Sequence, residues 1–164
     1  MEKRADKGDT PYNLRNCAYT EDFSKQKIVW IELTDHPNFC LDNEGFCTNN
    51  TVFFLNGEKL PYILSFLNTK LCEWYFTKIA ATSGAGTRRW IKIYIEKICI
   101  PQHIEKKTEE SLNNLVFKIQ ERKKLGFSTV DLETQVNWEI NRLFNLTNEE
   151  IAYIDTNLRE LYSN

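Results

Sequence analysis

The sequence predicts an α+β fold: a small mixed β-sheet with a packed helix, followed by a C-terminal helical segment of about three helices. Three observations predict it. Short runs of β-branched and aromatic residues, bounded by Pro, Gly, Asn and Asp, fill the chain from Lys27 to Leu55. After Gly57, apolar residues recur every three or four positions. Beyond residue 104 that helical period takes over and the β-type runs stop.

The elements follow in order. Residues 1–26 are polar with scattered aromatics and read as an extended arm. KIVWIEL, Lys27 to Leu33, reads as a strand that ends at the Thr-Asp-His-Pro turn. Asn38 to Leu41 reads as a short second strand, and Asp42-Asn43-Glu44-Gly45 as the turn after it. Thr51 to Leu55 is a third strand, broken by Asn56-Gly57. Glu58 to about Ala80 reads as one helix, with Leu60, Ile63, Leu64, Leu67, Leu71 and Trp74 on a single apolar face and Pro61 in its first turn. The segment AATSGAGTRR is a loop. From Arg89 to Ile95 the residues alternate, with Ile91, Ile93 and Ile95 on one side and Trp90, Lys92 and Tyr94 on the other, as in a half-buried strand.

The tail carries three helical patterns. Leu112, Leu115, Val116 and Ile119 mark a helix ending near Gly126; Leu132, Val136, Ile140 and Leu143 mark a second. Thr147-Asn148-Glu149-Glu150 has the form of a capping box that opens a third through Ile151, Ile154, Leu158 and Leu161. The division expected is therefore residues 1–103 as one unit and 104–164 as a helical spacer or docking segment.

Composition narrows the class. The 164 residues are 41% hydrophobic and 13% aromatic, enough for a real core and unlike a disordered chain. No stretch has the apolar length of a membrane span, and the polar N-terminus lacks a signal core. Five cysteines at irregular spacing, with no CxxC pair and only His36 and His103 as histidines, point to reduced thiols in the cytoplasm and away from a zinc site. Residues 1–103 hold 13 Lys+Arg against 12 Asp+Glu, a net of +1, and residues 104–164 hold 8 against 11, a net of −3. Affinity for nucleic acid therefore needs a local basic patch, because bulk charge supplies none.

The one segment with the chemistry of such a patch runs from Thr82 to Lys92. Ser83, Gly84, Ala85 and Gly86 are small enough for a backbone to approach a surface closely. Their N–H groups, with the hydroxyls of Thr82, Ser83 and Thr87, can donate to phosphate oxygens. Arg88 and Arg89 offer forked donors suited to a phosphate or a guanine edge. Lys92 extends the patch, Trp90 can pack beneath it or stack on an arginine, and Arg15 in the arm is a further candidate. The alternative is a flexible connection that merely ends in Arg-Arg, with Arg15 a solvated surface residue.

Catalytic motifs are missing. There is no Asn- or Asp-Pro-Pro-Tyr tetrapeptide of an amino-methyltransferase and no GxxxxGK[ST] phosphate loop, and Gly84-Ala85-Gly86 follows a helix where a cofactor-binding turn follows a strand. The nuclease-like triplets Glu105-x-Lys107 and Glu121-x-Lys123 lie in a predicted helix and read as a solvated helical face. His36, before Pro37, reads as a turn residue.

Several blocks, in this order and spacing, carry a resemblance. They are RADKGDTPYNLRNCAY, DFSKQKIVWIEL, FCLDNEGFCTNNTVFFL, LPYILSFLNTKLCEWYF and ATSGAGTRRWIKIYIEKICIP, with LETQVNWEINRLFNLTNEEI in the tail. Together they resemble the TaqI-like C-terminal specificity domain. The resemblance implies the target-recognition part of a single-chain restriction endonuclease and adenine-N6 methyltransferase, related to the recognition domains of type I specificity subunits. It implies double-stranded DNA as partner, and a catalytic methyltransferase or nuclease domain or subunit beside it. The parent enzymes hold the S-adenosylmethionine site and the Mg-dependent nuclease site elsewhere, so no cofactor is expected in this chain. The family's recurrent positions fall on Trp30, Asn68, Lys70, Gly84, Gly86, Arg89, Trp90 and Pro101, and DNA contact is expected at Gly84 to Arg89. A protein-docking fragment, or half of a type I specificity subunit, remains the rival reading, and a stand-alone nuclease a third.

Overall fold

The computed structural model describes residues 20–82 and 87–163. Of the arm read as extended, residues 1–19 lie outside the described part, and Thr20–Ser24 forms a 3-10 turn. Local bonds explain the turn: the Ser24 hydroxyl donates to the Glu21 carbonyl at 2.7 Å, and the Phe23 ring packs on Phe54 at 5.0 Å.

Four short strands follow: β1 (Lys27–Ile31), β2 (Leu33–Thr34), β3 (Cys40–Asp42) and β4 (Val52–Leu55). β1 is central in an antiparallel sheet of order β3-β1-β4, with Ile28 opposite Leu41 and Leu55, and Trp30 opposite Phe53. Alternation sends Ile28 and Trp30 into the core. A fully buried Lys27 pairs with Asp42 at the sheet's end and also donates to the Phe23 carbonyl. Asp42 accepts the N–H groups of Glu44, Gly45 and Phe46, which builds the turn expected there. Burial acts to raise the Asp42 carboxyl, but Lys27 and these backbone donors outweigh it and hold the group below its ordinary range.

The helix expected over 58–80 is two helices, α1 (Leu60–Leu67) and α2 (Lys70–Ile79). The break has a cause in its two residues. Thr69 adopts an extended backbone and its hydroxyl caps α2 by accepting from the Cys72 N–H at 3.2 Å. Asn68 turns outward to clamp strand β3's approach, accepting from the Phe39 N–H at 3.0 Å and donating to the Phe39 carbonyl at 2.9 Å.

The segment Arg89 to Ile95 is not the half-buried strand its alternation predicts. Only β5 (Arg88–Arg89) is a strand; it pairs with β2, Leu33 opposite Arg89 and Thr34 opposite Arg88. The ladder runs out after the Trp90 N–H donates to Glu32, because β2 is two residues long. The chain then turns into the short helix α3 (Lys92–Ile95). The alternation of Ile91, Ile93 and Ile95 is thus not a strand face; Trp90 and Tyr94 both pack on Phe76, while Lys92 is exposed.

The tail matches its periodicity: α4 (Lys106–Lys124), α5 (Val130–Leu143) and α6 (Asn148–Tyr162). Gly126, at φ 75°, supplies the left-handed residue after α4. Both arms of the Thr147/Glu150 capping box form. α4 lies along α1, and α6 along α2. Leu112, Val116 and Ile140 from the tail join Ile28, Phe66 and Phe76 in one continuous core. Among the described residues no helix is long and apolar enough to cross a membrane.

Candidate nucleic-acid interface

The Thr82–Lys92 segment is held at its base by a bridge between Thr82 and Arg88. β5 anchors that base to β2, and Trp90 anchors β5 to the core. The Trp90 ring is 1% exposed and stacks on Phe76 at 3.7 Å with nearly parallel planes. Its indole N–H donates to the Thr34 carbonyl at 3.1 Å, while its own carbonyl accepts the Trp30 indole N–H at 2.7 Å. Of the two expected roles for Trp90, packing beneath the patch is the one it fills.

The two arginines point in opposite directions, as neighbours on a strand must. Arg88 is buried, at 4% exposure. Its Nη1 donates to the Tyr162 hydroxyl at 3.2 Å, and its Nε has no partner among the described residues. Arg89 is half exposed and donates through Nε, at 2.9 Å, and Nη2 to Glu32. Glu32 takes two of the fork's donors, and among the described residues Nη1 is left for another acceptor. Lys92 is exposed and meets Glu96 at 3.4 Å, one helical turn on. Thr82 is exposed and Thr87 half-buried. Ser83, Gly84, Gly86 and Arg15 lie outside the described residues.

The structure therefore brings Thr82, Thr87, Arg88 and Arg89 to one loop base and sets Lys92 one turn further along. It also brings in residues the sequence reading did not single out. Glu32 pairs with Arg89 only because β2 and β5 are neighbours, a pairing across 57 residues. Glu73, on α2, accepts from the Tyr162 hydroxyl and faces the His36 Nδ1 at 2.8 Å. Burial and, next, this carboxylate push the Tyr162 phenol well above its ordinary value. His36 does close a turn, its carbonyl accepting the Thr34 hydroxyl at 2.9 Å.

The electrostatics are balanced. Glu32 faces Arg89 and Glu96 faces Lys92, so the exposed cations carry their own counter-charges. Such a surface makes donors available for hydrogen bonding and adds little long-range field. Other residues of the family pattern are structural here: Lys70 pairs with Asp155 at 2.8 Å, and the Pro101 carbonyl accepts the Tyr62 hydroxyl at 2.9 Å. The Glu105/Lys107 and Glu121/Lys123 triplets are exposed at the start and along the length of α4, with Lys123 paired to Glu133. Among the described residues no three His, Cys, Asp or Glu groups gather in a way that could hold a metal ion.

Comparison with known proteins adds one finding. The family model described as the TaqI-like C-terminal specificity domain matches residues 5–100, more than half of the chain. The match takes in all five strands, α1 to α3 and the whole Thr82–Lys92 segment, and it stops before α4. No curated protein matches.

Proposed function

This chain belongs to the TaqI-like C-terminal specificity domain family, and from that premise we propose that it is a sequence-specific double-stranded DNA recognition module of a bacterial restriction-modification enzyme. It directs methylation and cleavage carried out by other domains or subunits and has no catalytic site of its own. S-adenosylmethionine and Mg2+ belong to those catalytic parts. The family match carries the reading; the geometry of the Thr82–Lys92 segment supports it.

The contact surface is that segment. The hydroxyls of Thr82, Ser83 and Thr87 and the backbone around Gly84 and Gly86 take phosphate oxygens, which positions the duplex. Arg89 supplies the forked donor for a phosphate or base edge, with Glu32 fixing the plane of its guanidinium. Lys92 and Arg15 add point charges, and Arg88 braces the loop from below. Because Arg89 and Lys92 come with carboxylate partners, few counterions are released on binding and the salt dependence is shallow.

Selection from a library of random-sequence duplexes tests the reading. Enrichment of one motif, with loss of binding in Arg89→Ala, is expected. Retention of duplexes without any sequence enrichment overturns it.

One observation favours a second role for the tail. Phe127, Val130 and Trp138 on the α4–α5 turn and α5 are 64%, 68% and 56% exposed, and all lie beyond the family match. Apolar exposure of this kind suits docking to a catalytic domain or subunit. Co-expression with an adenine-N6 methyltransferase subunit, with Val130→Glu as control, tests that role by co-purification.

A further inference from the structure

The base of the recognition segment is tied to the far end of the chain. Arg88, the first residue of β5, sends its guanidinium inward to Tyr162, the last residue of α6, 74 positions on. The Arg88 carbon centre lies 5.8 Å from the centre of the Tyr162 ring, and the His36 ring packs on that ring at 4.1 Å. The Tyr162 oxygen accepts from Arg88 and has one proton to give. Two acceptors face that proton: the Asp35 carbonyl at 2.8 Å and the Glu73 carboxylate. Glu73 is itself buried, at 8% exposure.

These contacts form a chain of charge. A buried cation, Arg88, and a buried anion, Glu73, share the Tyr162 hydroxyl, and no direct Arg88–Glu73 pair occurs among the described residues. A buried guanidinium whose Nε meets no partner among the described residues is costly unless its remaining bonds hold. Among the described residues the Tyr162 phenol is the acceptor that meets the buried guanidinium. Arg88 in turn holds two features of the recognition segment: its backbone pairs with Thr34 in β2, and it bridges Thr82 across the loop.

We propose that Tyr162 is a positioning residue for DNA recognition, acting through Arg88 to hold the base of the Thr82–Lys92 segment against the sheet. The functional half of this inference rests on that segment being the DNA contact; the mechanical half does not. α6 lies outside the family match, so the tail contributes to the recognition surface as well as to the core. Whatever docks on or displaces α6 then changes the loop that reads DNA.

Tyr162→Phe in the full chain keeps the ring and removes the hydroxyl alone. Amide hydrogen exchange at Arg88, Arg89 and Trp90 is expected to speed up about tenfold or more, since a hydrogen bond to a charged group carries that much of a local opening equilibrium. Amides of β1 and α4 should be unchanged, which a general loss of stability would not produce. Duplex affinity should fall by a similar factor, without loss of sequence preference. Unchanged exchange at Arg88 to Trp90 overturns the proposal, and so does faster exchange that spreads equally over β1 and α4. A wild-type chain that binds no duplex overturns the DNA reading instead, and the exchange result still decides the tie. Should Tyr162→Phe not fold, the double change Tyr162→Phe with Arg88→Met, which removes the buried charge together with its partner, is expected to give the same regional pattern, and its absence overturns the proposal.

Discussion

Replacing Trp90 by alanine removes the pillar on which the recognition loop stands. The ring is 1% exposed, stacks on Phe76 at 3.7 Å, meets Phe39 edge-on at 5.4 Å and donates to Thr34. Truncating a buried tryptophan costs about 3–5 kcal/mol through lost burial and the cavity left behind. The Thr34 carbonyl loses its indole donor, adding about 1 kcal/mol. The sum, about 4–6 kcal/mol, is a large part of the about 5–15 kcal/mol that stabilises a domain. For a chain of this size each kcal/mol lowers Tm by about 2–4 °C, so a fall of about 10–20 °C is expected. Thermal and urea unfolding followed by circular dichroism measure it. Trp90→Phe keeps the stack and loses the donor, and should cost less than half as much. A melting shift of under about 3 °C for Trp90→Ala would mean that the ring is not the buried support described here. It would instead belong on the surface, where a base could stack on it.

Other expected outcomes separate surface from core. Arg89→Ala should leave Tm within about 1–2 °C of wild type. The same change should weaken binding to the selected duplex by about 1–3 kcal/mol in a gel shift. Glu32→Gln keeps an acceptor for the Arg89 fork but removes its counter-charge, and should steepen the salt dependence of duplex binding, read from affinities at several ionic strengths. Asp42 is held below its ordinary pKa in the folded state, so its share of stability is complete above the unfolded value near about 4 and is lost as pH falls through the lower folded one. Asp42→Asn should abolish that acid-side dependence in urea melts and cost about 3–5 kcal/mol at neutral pH, because Lys27 is left buried without its partner. Burial, and then Glu73, hold the Cys72 thiol far above its ordinary pKa, whereas Cys40, Cys47 and Cys99 are exposed. Iodoacetamide labelling followed by mass spectrometry should therefore modify those three and spare Cys72 until the chain unfolds.

The sequence by itself determined the class and most of the elements, because those depend on neighbours in the chain. Runs of β-branched and aromatic residues marked β1 and β4, a period of three to four marked the tail helices, and the Thr147/Glu150 box marked the start of α6 to the residue. The ordered blocks from Arg4 to Pro101 carried the family, and the Thr82–Lys92 segment stood out by composition alone. What tertiary structure decided was direction and pairing. Asn68 and Thr69 ended a helix that periodicity ran straight through, because Thr69 capped and Asn68 found Phe39, 29 residues away. Ile91 to Ile95 alternated as a strand does, yet had no partner strand once β2 ended and wound into α3. Arg88 and Arg89 are chemically identical and adjacent, and nothing local says which turns inward. That was settled by a phenol 74 residues ahead of Arg88 and a carboxylate 57 residues behind Arg89. Local propensity is written in short windows of sequence, whereas the buried or exposed fate of a charge depends on which distant groups the fold brings within hydrogen-bond reach.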